Sequence, residues 1–269
     1  MIEKRFVVRK AKGFTLIELL VVIAIIALLL GILVPTLQRV RNRARAVACR
    51  AKLHQWSLVF SMYDKDYEGQ FCAGCNEQNT NDPRHWAMAL RPYYYHDRQI
   101  TLCPSAIKPF DEGGEDPYAA WRGRDGVLFS YGLNGWVYNA KESDEIVYHP
   151  DRYWGELNIK GAENIPLFLD CHRTEGRPSN LSNLPEPEIL GMIDGIRVNP
   201  LIDWRRFCLN RHSGAVNCLF MDSSVRKVGL KELWTLKWHR KFNTANRWTK
   251  AGGVQPEDWP KWMRRFKDY

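Results

Sequence analysis

The sequence predicts an α+β protein in which a long N-terminal helix, from about residue 14 to about residue 64, packs on a C-terminal antiparallel sheet with long loops. Three observations support this prediction. An apolar run fills residues 19–34, an apolar stripe at helical spacing follows it, and short strand-like segments bounded by turn residues occupy the second half of the chain. The 269 residues allow one membrane helix and one globular domain of roughly 200 residues.

The apolar run lies within Gly13–Pro35, where Glu18 is the only charged side chain. As a helix, this stretch is about 30 Å long, which is the thickness of the hydrocarbon core of a bilayer. Basic residues dominate the segment before it, so we expect the N terminus to stay cytoplasmic and the C-terminal domain to be periplasmic or extracellular. An ordinary secretory signal carries its cleavage site after the apolar core, whereas here the glycine precedes it.

The order of residues in Gly13–Glu18 (GFTLIE), with Pro35 late in the apolar helix, resembles the class III signal of type IV pilins and type II secretion pseudopilins. The resemblance implies that prepilin peptidase removes residues 1–13 as a basic leader and methylates the new amine of Phe14. It also implies a pilin-like lollipop fold, in which residues 14–35 form the transmembrane and filament-core helix.

The position of Glu18 agrees with this resemblance. A carboxylate inside a membrane helix costs about 3 kcal/mol or more and normally has a partner. In a filament, the amine of Phe14 from a neighbouring subunit would pair with Glu18 and set the axial register. The alternative is that Glu18 reaches the lipid headgroups in the unassembled subunit. Pro35 lacks an amide hydrogen, so we expect it to kink or loosen the helix locally.

Residues 36–228 are expected to form the globular domain, which begins with the second half of the helix. Two apolar stripes at steps of three and four residues predict buried helix faces there. The first stripe contains Leu37, Val40, Ala44, Val47, Ala48 and Ala51, and the second contains Cys49, Leu53, Trp56, Phe60 and Tyr63. The arginines between the apolar positions are interpreted as a solvated or subunit-facing stripe rather than a nucleic-acid patch.

The acidic segment 63–70 predicts the end of the helix, with Gly69 as the stop signal. Its spacing matches a calcium loop only in part, so no cofactor is expected and a structural calcium ion is the alternative. Seven cysteines in a domain beyond the membrane favour disulfides, because a zinc ribbon would need a second Cys-x-x-Cys pair. The disulfide candidates are Cys72, Cys75 and Cys103, and separately Cys208 and Cys218, for which packed thiols are the alternative.

The β-rich part of the chain begins near residue 126. Candidate strands cover residues 127–131 and 165–170, and a turn covers 132–135. The clearest hairpin joins 207–212 to 215–221 through Ser213-Gly214, and a third short strand is expected at 225–228.

A second resemblance concerns Leu102–Ser105 (LCPS), Ser130–Asn134 (SYGLN), and the pair His212 and Asp222. These segments are similar to a pilin-like family, abundant in planctomycetes, whose chains carry His, nine residues, Asp and Gly near the C terminus. Ser223 stands in place of that glycine, which puts a tight glycine-dependent turn in question. The resemblance implies a pilin-type subunit without enzymatic activity.

His212 and Asp222 are the candidate catalytic or metal-binding pair. We expect both to cap turns, because no nucleophile elbow, HExxH or phosphate loop accompanies them. A metal site is the first alternative. A membrane-anchored hydrolase is the second.

Residues 229–269 form a basic tail rich in tryptophan, which contributes much of the net charge of +9. Tryptophans among cations stack on sugar rings or bases, so the tail is a candidate ligand surface. We favour the interpretation that these side chains fold onto the sheet as core, with the ligand surface as the alternative. The candidates are Trp234, Trp238, Trp248, Trp259 and Trp262.

The sequence thus predicts a structural, non-enzymatic subunit that assembles into a type II secretion pseudopilus or a type IV pilus-like filament. The small residues Ala24, Ala27 and Gly31 would let neighbouring helices approach closely. Expected partners are prepilin peptidase, other pilin or pseudopilin subunits and the inner-membrane assembly machinery, with any secreted cargo unknown. The alternative function is a membrane-anchored adhesin or a glycan- or DNA-binding protein that uses the tail.

Overall fold

The computed structural model describes residues 15–74, 81–94, 97–123, 126–140, 149–157, 159–179 and 203–269. The chain divides into two compact units, Met1–Arg43 and Ala44–Tyr269. Helix α1 (Leu16–Asp66) begins in the first unit and ends in the second. The predicted α+β class, a long N-terminal helix followed by a sheet domain, is confirmed.

Helix α1 has 51 residues, about 75 Å at the usual rise per residue. It ends where the acidic segment predicts. Gly69 adopts a φ of 82°, and its amide donates to the carbonyl of Asp64 at 2.9 Å. A left-handed glycine that returns its amide to the last turn is the usual way to satisfy the final carbonyls of a helix.

Only the second apolar stripe of α1 is buried. The side chains of Cys49, Leu53, Trp56, Phe60 and Tyr63 all contribute to the core, as predicted. The first stripe is exposed, so the expectation that it forms a buried face of this chain is wrong. The periodicity identified an apolar face correctly, but nothing within the described chain covers it.

The central sheet of the second unit has five strands in the order β6-β4-β5-β7-β8. Its pairs are antiparallel except β4 with β6, so the sheet is mixed rather than purely antiparallel. A smaller sheet has the order β1-β2-β3. The strands are β1 (Lys108–Pro109), β2 (Ala119–Arg122), β3 (Leu128–Phe129), β4 (Tyr131–Asn134), β5 (Pro166–Asp170), β6 (Glu175–Gly176), β7 (Ala215–Phe220) and β8 (Val225–Gly229).

Short helices fill the connections. The expected helix between residues 86 and 95 is present as two single turns, α2 (Trp86–Ala89) and α3 (Arg91–Tyr94), and α4 (Asp203–Phe207) precedes β7. The 3₁₀ turns are Arg98–Thr101, Phe110–Glu112, Gly135–Val137, Pro150–Arg152, Ala162–Asn164, Lys231–Thr235, Lys250–Gly252 and Pro256–Asp258.

The strand predictions succeed at β5, β7 and β8 and fail at two places. Residues 132–135 were expected to form a turn, but most of them belong to β4. The expected strand at 207–212 is absent: α4 ends at Phe207, and the hairpin partner of β7 is β8. Trp204 and Phe207 are both buried at a spacing of three residues, which a helical turn achieves and a strand does not.

The C-terminal tail belongs to the core. Trp234, Trp238 and Trp259 are almost fully buried, so a ligand surface built from them is contradicted. Trp234 stacks on Trp204 with ring centroids 4.1 Å apart. Trp248 and Trp262 are half-buried and pack against the same core. Indole rings have a large apolar area, so packing them against the adjacent sheet is more favourable than exposing them to water.

His239 in this tail is buried between the rings of Trp136 and Phe242, and neither of its ring nitrogens has a hydrogen-bond partner among the described residues. Burial, together with the positive charges of Arg152 and Lys237, lowers the pKa of His239 to about 3. The other ionisable groups near it are His149, which acts in the same direction, and Asp151, which opposes it.

This burial predicts acid sensitivity. Below pH 6.5 the unfolded chain protonates His239 while the folded chain does not, so stability present above pH 6.5 is lost as the pH falls toward 3. At pH 5 the loss is about 2 kcal/mol relative to pH 7, or a Tm lower by roughly 5 °C. We expect His239→Gln to reduce this pH-dependent drop in a thermal melt of the full chain in detergent. An identical drop in both proteins would show that His239 titrates normally in the folded state.

Candidate functional sites

The first candidate site is the N-terminal turn of α1, where Thr15 and Glu18 form a capping box. The backbone amide and the hydroxyl of Thr15 donate to Glu18 Oε2 at 2.9 and 2.8 Å. The amide of Glu18 donates to Thr15 Oγ1 at 3.3 Å. Reciprocal bonds of this type satisfy the unpaired amides of a helix start and place negative charge at its positive end. Gly13 and Phe14 lie outside the described residues.

The surface of α1 that follows is apolar on all sides. Every described residue from 16 to 34 is exposed, and α1 contains a segment long and apolar enough to cross a membrane, with a mean hydropathy of 3.2. Exposing this much apolar surface to water is unfavourable by about 25 cal/mol per Å². The segment therefore requires a lipid or protein environment.

Pro35 does not end the helix. Because proline lacks an amide hydrogen, the carbonyl of Gly31 loses its usual partner. The hydroxyl of Thr36 bonds instead to the next two carbonyls of the helix, those of Ile32 and Leu33, at 3.2 and 2.8 Å. The helix accommodates Pro35 and continues to Asp66.

The second candidate site is a buried cluster of Cys49, Cys103, Asp170 and His212, whose ligand atoms all lie within 4.8 Å of one another. α1 supplies Cys49, the loop after Arg98–Thr101 supplies Cys103, the end of β5 supplies Asp170, and the loop before β7 supplies His212. Asp170 received no role in the sequence analysis.

His212 Nε2 is the centre of this cluster. It lies 3.1 Å from Asp170 Oδ2 and 3.5 Å from Cys103 Sγ. Cys49 Sγ lies 3.7 and 3.9 Å from the two oxygens of Asp170. All four residues are at most 5% exposed.

Neighbouring groups hold the cluster in place. Arg211 Nη1 lies 3.1 Å from Asp170 Oδ1, and the amide of Asn217 donates to Asp170 Oδ2 at 2.8 Å. The hydroxyl of Tyr131 donates to Cys49 Sγ at 3.2 Å. The buried Arg211 also donates to the carbonyl of Ser130 at 2.7 Å. The first three contacts each restrict the orientation of one cluster side chain, and the last holds Arg211 in place.

Burial and the neighbouring groups shift the pKa values of the cluster side chains in different directions. Burial alone would lower the pKa of His212, but the Asp170 carboxylate raises it to about 9. Burial alone would raise the pKa of Cys103, but hydrogen bonds with Cys49 and His212 lower it to about 6. For Cys49 burial dominates and raises the pKa of the thiol.

The cluster does not have the geometry of a cysteine hydrolase. In a catalytic triad the imidazole uses one nitrogen for the nucleophile and the other for the carboxylate. Here both Cys103 and Asp170 approach the same nitrogen, Nε2, and Cys103 is inaccessible. The expectation that the chain is not an enzyme remains a prediction.

Both His212 and Asp222 are expected to cap turns; Asp222 does so in the structure, whereas His212 does not. Asp222 Oδ1 accepts hydrogen bonds from the amide and hydroxyl of Ser224 at 2.9 and 2.6 Å, so it caps the turn between β7 and β8. His212 instead lies in the buried cluster and caps no turn with its ring. Ser223 adopts a φ of 68°, so it takes the left-handed conformation that the family's glycine would adopt more easily.

The disulfides predicted for Cys103, Cys208 and Cys218 are not formed among the described residues. Cys103, Cys208 and Cys218 are free, buried thiols, with Cys103 in the cluster. Cys208 follows α4 and Cys218 lies within β7, so they do not face each other across a hairpin. Cys75 lies outside the described residues, so its pairing with Cys72 stays a prediction.

The acidic segment at the end of α1 is a helix-end turn. Asp66 accepts a hydrogen bond from the hydroxyl of Tyr93 at 2.8 Å, which fixes α3 to the helix. A calcium ion at this turn stays an untested alternative.

Residues 8–34 match the prokaryotic N-terminal methylation motif. The prepilin-type signal that the sequence predicted is therefore confirmed, and the N-terminal segment of this chain is type IV pilin-like.

One curated relative extends this match. The type IV wide pilus major component PilA4 of Thermus thermophilus is 50% identical over 58 residues, which cover 22% of this chain and 44% of that protein. The chain thus matches less than half the length of this relative. No solved structure matches the chain.

Proposed function

We propose that this chain is a structural subunit that assembles into a type IV pilus-like filament. Prepilin peptidase removes residues 1–13 and methylates the amine of Phe14, and residues 14–35 hold the subunit in the inner membrane until it is assembled. The observation that carries the proposal is the fully exposed apolar surface of residues 16–34, which lies within a matched methylation motif.

The apolar surface suits both environments that the proposal requires. Lipid tails cover it in the membrane, and equivalent helices of other subunits cover it in a filament. Ala24, Ala27 and Gly31 lie at steps of three and four residues, and small residues at such spacing permit close helix contact. Among the described residues, a Cβ at Gly31 would meet no atom from outside its own stretch of helix within 4 Å, so its surface is open to a neighbour.

Glu18 then has two partners in succession. In the isolated subunit Thr15 holds its carboxylate through two hydrogen bonds. In the filament the methylated amine of Phe14 from the next subunit supplies a full positive charge, which is a stronger partner in an apolar environment than a neutral hydroxyl. Exchange of these partners sets the register between subunits.

The basic leader places the N terminus in the cytoplasm, so the second unit lies in the periplasm before assembly and outside the cell afterwards. The expected partners are prepilin peptidase, other pilin subunits and the inner-membrane assembly machinery. PilA4 is a pilus component, and this similarity supports a pilus over a secretion pseudopilus. An adhesin that binds through Trp234, Trp238 and Trp259 is not proposed, because these rings are buried.

The test is the intact mass of the protein purified from the membranes of its own cells. We expect a chain that lacks Met1–Gly13 and carries one additional methyl group. Gly13→Val should retain the whole leader, whereas Ala11→Val, two residues away in the same leader, should be cleaved normally. An uncut wild-type chain would contradict the proposal. Filaments confined to the periplasm would identify a secretion pseudopilus instead.

A further inference from the structure

We propose that Cys49, Cys103, Asp170 and His212 bind one zinc ion in a closed, four-coordinate structural site. The four residues come from four separate elements of the second unit, and each offers one ligand atom to a common point. Thiolate, imidazole and carboxylate are the three ligand types that zinc binds in proteins. Soft sulfur ligands exclude calcium and magnesium.

The distances between three pairs of these ligand residues are close to those in a zinc tetrahedron. Zinc bonds of about 2.3 Å to sulfur and about 2.1 Å to nitrogen or oxygen separate sulfur from either nitrogen or oxygen by roughly 3.6 Å, and nitrogen from oxygen by roughly 3.4 Å. The observed separations are 3.5 Å for Cys103 Sγ to His212 Nε2, 3.1 Å for His212 Nε2 to Asp170 Oδ2, and 3.7 to 3.9 Å for Cys49 Sγ to the oxygens of Asp170.

Hydrogen bonding alone explains this arrangement poorly. A single ring nitrogen of histidine carries at most one hydrogen, yet both Asp170 Oδ2 and Cys103 Sγ approach His212 Nε2. A metal ion satisfies all these lone pairs at once. The protons released on binding are those of the thiols and of Nε2, which leave to solvent as zinc takes their place.

The surroundings complete the site in charge and orientation. Two thiolates and one carboxylate leave one negative charge after Zn²⁺ is counted, and the buried guanidinium of Arg211 beside Asp170 Oδ1 neutralises it. The hydroxyl of Tyr131 on Cys49 and the amide of Asn217 on Asp170 are the outer contacts that typically orient metal ligands.

Zinc would join parts of the chain that are far apart in sequence. Cys49 and Asp170 are 121 residues apart, and Cys103 and His212 are 109 apart. Coordination of these residues links α1 to β5 and to the two loops. It would also protect two neighbouring thiols from oxidation in a compartment that favours disulfides. This proposal opposes the sequence-based expectation that the chain has no cofactor.

The first measurement is the zinc content of the full chain, purified in detergent without added metal or chelator, by inductively coupled plasma mass spectrometry. We expect one zinc ion per chain. Cys103→Ser and His212→Gln should lower the content at least tenfold. Cys208→Ser, which changes another buried free thiol outside the cluster, should leave it at one.

A second measurement uses only the wild-type protein, so its result does not depend on whether the variants fold. Wild-type protein stripped of metal under reducing conditions should bind one Co²⁺, with a thiolate-to-cobalt charge-transfer band that zinc abolishes. Saturation with zinc should raise Tm by roughly 10 °C.

Three outcomes would overturn the proposal. These are wild-type protein that binds neither metal at micromolar concentration, a Cys49–Cys103 disulfide in metal-free protein from membranes, and zinc retained in both ligand variants. None of these outcomes depends on leader cleavage or on filament formation, so failure of the zinc site and failure of the proposed function are distinguishable.

Discussion

Glu18→Val is expected to abolish filaments while leaving the subunit cleaved and inserted in the membrane. Valine removes the partner of the methylated Phe14 amine, so every subunit that enters a filament would bury an unpaired positive charge. Leaving one member of a buried ion pair alone costs about 3 kcal/mol or more. A cost of that size at each interface corresponds to roughly a hundredfold loss in association.

The measurement is electron microscopy of filaments sheared from cells, with intact mass and membrane fractionation on the same cultures. Glu18→Gln separates the two roles of the side chain, because the amide preserves length and the capping acceptor for Thr15 but carries no charge. It should fail to assemble as Glu18→Val does. Glu163→Val, at an exposed carboxylate of the second unit, should assemble normally. Wild-type filament numbers in Glu18→Val would contradict the pairing.

The N-terminal half was predictable because one physical requirement governs it. A membrane demands an uninterrupted apolar helix, so residues 19–34 and the stop at Gly69 define α1 almost to its ends. The stripe from Cys49 to Tyr63 was also predictable, since burial at steps of three and four residues has only one geometric explanation. The stripe that includes Leu37 and Val47 shows the limit: periodicity reveals an apolar face but does not identify what covers it.

The second unit was less predictable because short apolar segments do not distinguish strand from helix. Residues 207–212 begin with a short apolar run that suits a strand, yet Trp204 and Phe207 lie in α4 and pack against Trp234 and Trp238. That outcome depends on the tail folding back over α4. Because the tail is distant from α4 in the sequence, no local pattern around residues 203–207 indicates that they form a helical turn.

The buried cluster could not be predicted from the sequence for the same reason, because its four residues are far apart along the chain. Spacing along the chain indicates Cys103 as a disulfide candidate and His212 as a turn residue, and neither pattern places the two side chains together. Asp170 ends a buried strand, and an acidic residue at that position was the one local hint of a site. Only the packing of β5 against α1 brings Cys49 to this carboxylate.

Trp238→Ala is expected to destabilise the second unit by about 3–5 kcal/mol, since it removes a fully buried indole from the core. Trp238 packs against Trp204 and Phe207 with ring centroids 5.6 and 5.1 Å away, and its Nε1 donates to the carbonyl of Leu233 at 2.8 Å. A cavity among these rings cannot close without moving α4. In a thermal melt the Tm should fall by roughly 10 °C.

Trp262→Ala is the matched control, because its ring is half-buried at the edge of the same core. It should cost less than about 2 kcal/mol, since a partly exposed ring loses less apolar contact and leaves no closed cavity. The pair also separates the two interpretations of the tail. If Trp238 were a ligand-binding residue, its removal would abolish binding to immobilised glycans at unchanged Tm. Because Trp238 is buried, we instead expect its removal to lower the melting temperature, and to lower it by more than Trp262→Ala does.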